Sequence, residues 1–137
     1  MKLFNVLIFV LLFSNCTAQS SFTNVLIEYS AVTRGTSIKI NVTSKVITYK
    51  KNEATKAVSL ANKEGKELEK LFKKINLENL ETFIVPTSNS HSDRALQATL
   101  KVTKNKKMYT SQVFDHGNPP KELAPLLSMI FKVLKLK

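Results

Sequence analysis

The last apolar stretch of the chain constrains the fold most, because it has the spacing of a helix that needs a surface to pack on. Its polar side carries Ser128, Lys132 and Lys135. Its apolar side has a nearly continuous helical stripe, formed by Leu123, Leu126, Leu127, Ile130, Phe131 and Leu134. A helix this short is marginal in water by itself. We therefore expect the stripe to be buried against the rest of the domain.

Strand-like alternation dominates the earlier part of the chain. Residues 25–30 and 38–43 alternate apolar and polar side chains, which predicts two strands joined by a turn at Gly35. The alternation blurs at residues 44–45 and resumes over 46–49, which predicts a bulge or a short turn. Residues 56–60 are compatible with a short third strand.

A first helix is predicted to follow, with Asn62 as its N-cap. Its apolar residues recur at helical spacing and are Leu68, Leu71, Phe72 and Ile75. Residues 96–102 and 108–114 then predict a hairpin that turns at 104–107. The order β-β-β-α-β-β-α indicates an α+β fold. We expect an antiparallel sheet of about five strands with two helices packed on one face.

The N-terminus has the features of a secretory signal peptide. Lys2 precedes a short apolar run over residues 3–13, and small residues precede Gln19. We expect cleavage after Ala18, which divides the chain into a signal peptide, 1–18, and a single domain, 19–137. The run is shorter than the about 20 apolar residues that cross a bilayer, so we expect no transmembrane segment in the mature chain.

The expected location is therefore the periplasm or the exterior of the cell, with a lipid anchor on Cys16 as the alternative. A lipid-attachment site normally has Leu three positions before the cysteine and a small residue directly before it. Phe13 and Asn15 occupy those positions here, so the match is poor.

The amino-acid composition restricts the functions that the protein can have. Cys16 is the only cysteine, so the predicted mature chain has no disulfide and no thiol chemistry. Twenty-one basic residues against 10 acidic ones give a net charge of +11. Outside the cytoplasm such a charge favours an anionic envelope component or a partner protein, and we do not expect nucleic acid as a ligand. Lysines that only keep the domain soluble are the simpler interpretation.

Titratable residues converge at one predicted corner. Counting antiparallel register across the second hairpin places residues 91–93 beside 115–119. The residues brought together are His91, Asp93, Asp115 and His116. Two imidazoles and two carboxylates could hold zinc or form an acid–base pair, so a metal-binding or metal-dependent hydrolytic site is the alternative function.

The same corner also contains everything needed to turn a strand into a helix, which is the interpretation we favour. Gly117 can adopt a positive φ, and Pro119 keeps Asn118 extended. Pro120 suits the first position of a helix.

Known catalytic motifs are missing from the sequence. Gly35, Gly65 and Gly117 lie too far apart for a phosphate-binding loop, and no serine elbow or helical histidine pair occurs. We therefore expect no cofactor and a non-enzymatic binding module with an unidentified ligand.

The pattern resembles that of small exported bacterial proteins of unknown function. The matching features are the helix "ELEKLFKKI" (67–75), the "SD" before the fourth strand and "FDHGNPPKELAPLL" (114–127). The resemblance covers most of the mature chain as a pattern of elements. It implies the fold and carries no activity.

Overall fold

The computed structural model describes residues 22–86 and 96–136 of the 137-residue chain. Their elements, in chain order, are β1 Val25–Thr33, β2 Thr36–Val42, β3 Val46–Lys51, β4 Ala54–Ser59, α1 Asn62–Phe72, a 3-10 helix Leu77–Thr82, β5 Gln97–Lys104, β6 Lys107–Thr110, β7 Phe114–Asp115 and α2 Ala124–Leu134. The predicted α+β class is confirmed.

All paired strands are antiparallel and belong to one sheet, in the order β4-β3-β2-β1-β5-β6, with β7 also beside β5. The first four strands form a meander. β5 then returns to the other side of β1, so that Tyr29 lies between Ile40 and Leu100. The predicted antiparallel sheet is confirmed, but the expected number of about five strands is wrong, because the sheet has seven.

One of the additional strands results from a complete turn at residues 44–45. The sequence is compatible with either a bulge or a short turn at this point. The backbone N–H of Thr43 donates to the carbonyl of Val46 at 3.0 Å, and its hydroxyl accepts from the N–H of Val46 at 3.2 Å. The chain therefore reverses, and the apolar pattern of residues 38–49 belongs to two paired strands.

The other additional strand results from a bulge. Lys101 pairs with Thr110 and Ala98 with Phe114, so the return side has one more residue than β5 between these pairs. Ser111 lies there, and its hydroxyl accepts from the N–H of Leu100 at 2.9 Å. The extra residue interrupts the ladder and divides the predicted return strand into β6 and β7.

The core lies on one face of the sheet. Alternate residues of β1, β2 and β5 are buried, and alternate residues of a strand share a face. Buried residues of both helices belong to the same cluster, which includes Ile27, Tyr29, Ile40, Leu68, Phe72, Leu100, Leu126, Leu127 and Ile130. Five of the six residues in the predicted stripe of the last helix are buried, and Phe131 is half-buried.

The N-cap residue of the first helix differs from the predicted one. It begins at Asn62, so Ala61 is the N-cap residue. The N–H of Ala61 donates to the carboxylate of Glu64 at 2.9 Å, which is half of a capping box. The predicted N-cap was therefore one residue too late.

A 3-10 helix, and not a continued α-helix, follows the first helix. Asn76 caps it by accepting from the N–H of Glu78 at 3.2 Å. The carboxylate of Glu78 also accepts from Lys107 at 2.9 Å and from the Tyr109 hydroxyl at 3.1 Å. These contacts join the 3-10 helix to β6.

Within the described residues, no helix is both long and apolar enough to cross a membrane.

Truncation of Ile130 tests the packing of α2. Ile130 is fully buried, so Ile130→Ala should lower the free energy of unfolding by about 2–5 kcal/mol through lost burial and a cavity. Ser128→Ala, at an exposed position of the same helix, should change it by less than about 0.5 kcal/mol. Urea denaturation of both variants measures the difference, and equal stabilities would contradict the docked helix.

Candidate ligand-binding cleft

A cleft of about 830 Å³ opens between α2 and the inner face of β2 and β3, beside the corner that precedes the helix. Its volume lies within the about 300–1,000 Å³ that is usual for small-molecule sites. The apolar lining residues are Ile38, Ile40, Pro119, Ala124, Leu127, Phe131 and Leu136. The cleft is therefore a concave, mainly apolar surface with access to solvent.

Polar groups enter this cleft from three elements of the fold. The polar lining residues are Tyr49, Lys51, His116, Ser128 and Lys132. β3 supplies the first two, the corner supplies His116, and α2 supplies the last two. Among the described residues that line the cleft, none is acidic. The local charge of the cleft is therefore positive.

Aromatic rings surround His116 at the base of the cleft. The ring of Tyr29 lies 5.8 Å from the imidazole and 5.6 Å from the ring of Phe131, which it meets edge to face. His116 and Phe131 are 5.9 Å apart. Such spacings are favourable for aromatic pairs. The cluster connects β1, the corner and α2, so it holds the wall of the cleft in place.

Tyr29 and His116 also form a hydrogen bond between the phenol oxygen and the imidazole Nδ1. Burial raises the pKa of the Tyr29 hydroxyl, so this group stays protonated and can donate. Burial, with a smaller effect of Lys51, lowers the pKa of His116. At neutral pH the imidazole is therefore neutral, and with its ring proton on Nε2 it can accept at Nδ1 from the Tyr29 hydroxyl.

The corner has the predicted glycine geometry. Gly117 has a φ of +86°, a conformation that a residue with a Cβ adopts at a cost. The N–H of Asn118 donates to the carbonyl of Asp115 at 2.9 Å, and the N–H of His116 donates to the carbonyl of Leu96 at 2.9 Å. Backbone contacts thus close the corner and attach it to the start of β5.

The predicted place of Pro120 at the first helical position is wrong. The helix begins at Ala124, and Pro125 lies in its first turn. Proline has no N–H, and inside a helix its ring would clash with the carbonyl four residues earlier. A regular helix can therefore start only just before Pro125. A separate turn precedes it, in which the carbonyl of Pro120 accepts from the N–H groups of Leu123 and Ala124.

The four-residue site predicted at the corner is described only in part. Asp115 is buried, with 2% of its surface exposed, and His116 is half-buried under the cleft. His91 and Asp93 lie outside the described residues. Within residues 22–86 and 96–136, no group of three or more His, Cys, Asp or Glu could hold a metal ion. The metal or acid–base site thus stays a prediction.

Sequence reasoning missed most of the cleft. Ser128 and Lys132 are exposed on the polar side of the last helix, as predicted, but both also line the cleft. Their spacing of four residues puts them on one side of α2 but does not show what that side faces. The sequence does not indicate that Lys51 lines a cleft either, because this residue lies at the end of an ordinary strand.

Comparisons with protein-family models, with curated proteins and with solved structures find no match for the chain. The resemblance to small exported bacterial proteins therefore stays a prediction.

The depressed pKa of His116 predicts a pH-dependent stability. The unfolded chain takes up this proton near pH 6.5 and the folded protein only at lower pH, so the free energy of unfolding should fall as the pH drops below about 6.5. Thermal midpoints at pH 7.5, 6.5 and 5.5 should fall more steeply for the wild type than for His116→Gln, which keeps an acceptor for Tyr29.

A second variant separates this effect from carboxylate titration. The pKa of Glu78 is lowered by its hydrogen bonds to Lys107 and Tyr109, so Glu78 titrates below its usual value of 4.5, outside this window. Glu78→Gln should therefore leave the slope between pH 7.5 and 5.5 unchanged. Parallel curves for the wild type and His116→Gln would contradict the assignment to His116.

Proposed function

We propose that the chain is an exported, non-enzymatic binding module that holds an anionic ligand in the cleft beside α2. One observation carries the proposal. Lys51 and Lys132 line the same apolar-walled cleft from two different elements, and no described lining residue supplies a carboxylate to balance them. An anion that enters the cleft gains attraction to both ammonium groups.

The electrostatics of His116 support this proposal. Lys51 contributes to the lowered pKa of His116, so the positive potential of Lys51 extends to the base of the cleft. The imidazole is neutral at pH 7 and adds no charge that would need its own counterion. A cationic ligand would be repelled by both lysines, whereas a neutral ligand would gain nothing from them.

The polar groups of the cleft do not have the arrangement that hydrolysis by a hydroxyl nucleophile needs. Such a nucleophile requires a base within hydrogen-bonding distance. The described hydrogen bonds of the cleft include none between Ser128 and His116, whose Nδ1 is bonded to Tyr29. Binding is therefore better supported than catalysis.

Export is part of this proposal. The buried core described here lies between Phe22 and Leu134, so cleavage after Ala18 removes none of it. Mass spectrometry of the mature protein should find Gln19 as its first residue. A diacylglycerol-modified Cys16 at the N-terminus would instead establish the lipid-anchored alternative.

Charge reversal within the cleft tests the anionic ligand. The probe is 8-anilinonaphthalene-1-sulfonate, an anion whose fluorescence increases in apolar sites. Lys51→Glu and Lys132→Glu should each weaken its binding by about tenfold or more, equivalent to about 1.4 kcal/mol. Lys45→Glu and Lys63→Glu, at exposed positions outside the cleft lining, should weaken it by less than about twofold. Equal losses in all four variants would contradict the cleft as the site.

A zinc titration distinguishes the alternative function at the corner. Calorimetry of the wild type and of His116→Gln with zinc chloride should show no saturable heat at micromolar metal if the module binds anions alone. A stoichiometric heat that disappears in His116→Gln would replace the proposal with the metal site of His91, Asp93, Asp115 and His116.

A further inference from the structure

The apolar lining of the cleft restricts the kind of ligand further than its charge does. On one side, α2 contributes residues from Ala124 to Lys132, which at about 1.5 Å per residue span about 12 Å. On the other side, Ile38 and Ile40 project from the same face of β2. Ile38 and Ile40 are buried, so the accessible apolar surface of the cleft comes mainly from four half-buried residues, which we call the track: Pro119, Ala124, Phe131 and Leu136.

The charged groups lie along the same track. On the sheet, Ile38 pairs with Lys51 and Ile40 pairs with Tyr49, so each of these two isoleucines has a polar neighbour on β3. On the helix, Lys132 follows Phe131 directly and lies one turn after Ser128. The residues that line the cleft thus include two lysines and two hydroxyl-bearing residues, Tyr49 and Ser128, beside the track.

Resting on the function proposed above, we infer that the ligand is an amphiphile with one acyl chain and one anionic head group. The chain lies along the half-buried Ala124, Phe131 and Leu136, and the head group is held by Lys51 and Lys132. This chemistry is shared by a free fatty acid and by a single-chain phospholipid. Highly charged polymers fit less well, because most of the cleft lining is apolar and would lie against charged groups.

Chain length provides the first test. Each methylene that the cleft buries should raise affinity by up to about fourfold. Calorimetry of the purified protein with octanoate, decanoate and dodecanoate, all below their micelle-forming concentrations, should therefore show an increase of at least tenfold across the series. Dodecyltrimethylammonium has the same chain and the opposite charge, and it should bind at least tenfold more weakly than dodecanoate.

Obstruction of the track provides the second test. Ser128 is exposed and lines the cleft, so Ser128→Trp should fill the track without disturbing the core. Dodecanoate binding should fall at least tenfold in this variant. Lys70→Trp, an exposed position on α1, controls for the added indole. If Ser128→Trp does not fold, Lys51→Gln and Lys132→Gln replace it and should lower dodecanoate affinity at least fivefold.

The outcomes separate this inference from the function on which it rests. Charge-dependent binding of the sulfonate probe with equal affinities for the three carboxylates would overturn the amphiphile and keep the anion site. Equal affinities for dodecanoate and dodecyltrimethylammonium would overturn both. A failure of the probe and of every carboxylate to bind would also overturn both. Tighter binding of dodecanoyl lysophosphatidylglycerol than of dodecanoate would support the inference and identify a phospholipid head group.

Discussion

The packing of α2 onto the inner face of the sheet is the interaction on which the rest of the structure depends. This helix has 11 residues, and it buries Leu126, Leu127, Met129, Ile130 and Leu134. Helices of that length are marginal in water without such packing. Its C-terminal end is also held, because the ammonium group of Lys56 donates to the carbonyl of Leu134 at 3.4 Å. The position of α2 defines the cleft, since the helix forms one of its two walls.

The hydrogen bond between Tyr29 and His116 connects this packing to the corner. Tyr29 lies in the central strand with 1% of its surface exposed, and a buried hydroxyl without a partner costs about 1–3 kcal/mol. The imidazole supplies the partner and lies beside Phe131 of the last helix, with the two rings tilted by 60°. His116 therefore has a structural task of its own in addition to lining the cleft.

Much of the fold could be predicted from local patterns, and the errors have physical causes. The alternation over residues 25–30 and the stripe from Leu123 to Leu134 both reflect buried faces, so β1 and the buried side of α2 were predicted correctly. The turn at residues 44–45 was harder, because the hydrogen bonds of Thr43 that close it depend on how two strands pair. The start of α2 was misplaced, because Pro120 also has the properties of a first helical residue, whereas the helix begins at Ala124 with Pro125 in its first turn.

By itself, the sequence determined the periodicities of the strands and helices, the excess of lysine and the positive φ available to Gly117. Only the tertiary structure decided that Lys51 and Lys132 share a cleft and that Tyr29 bonds to His116. Periodicity specifies which side of an element is buried, because burial acts on each element separately. It does not specify which two surfaces meet, because that choice depends on contacts between residues far apart in the chain.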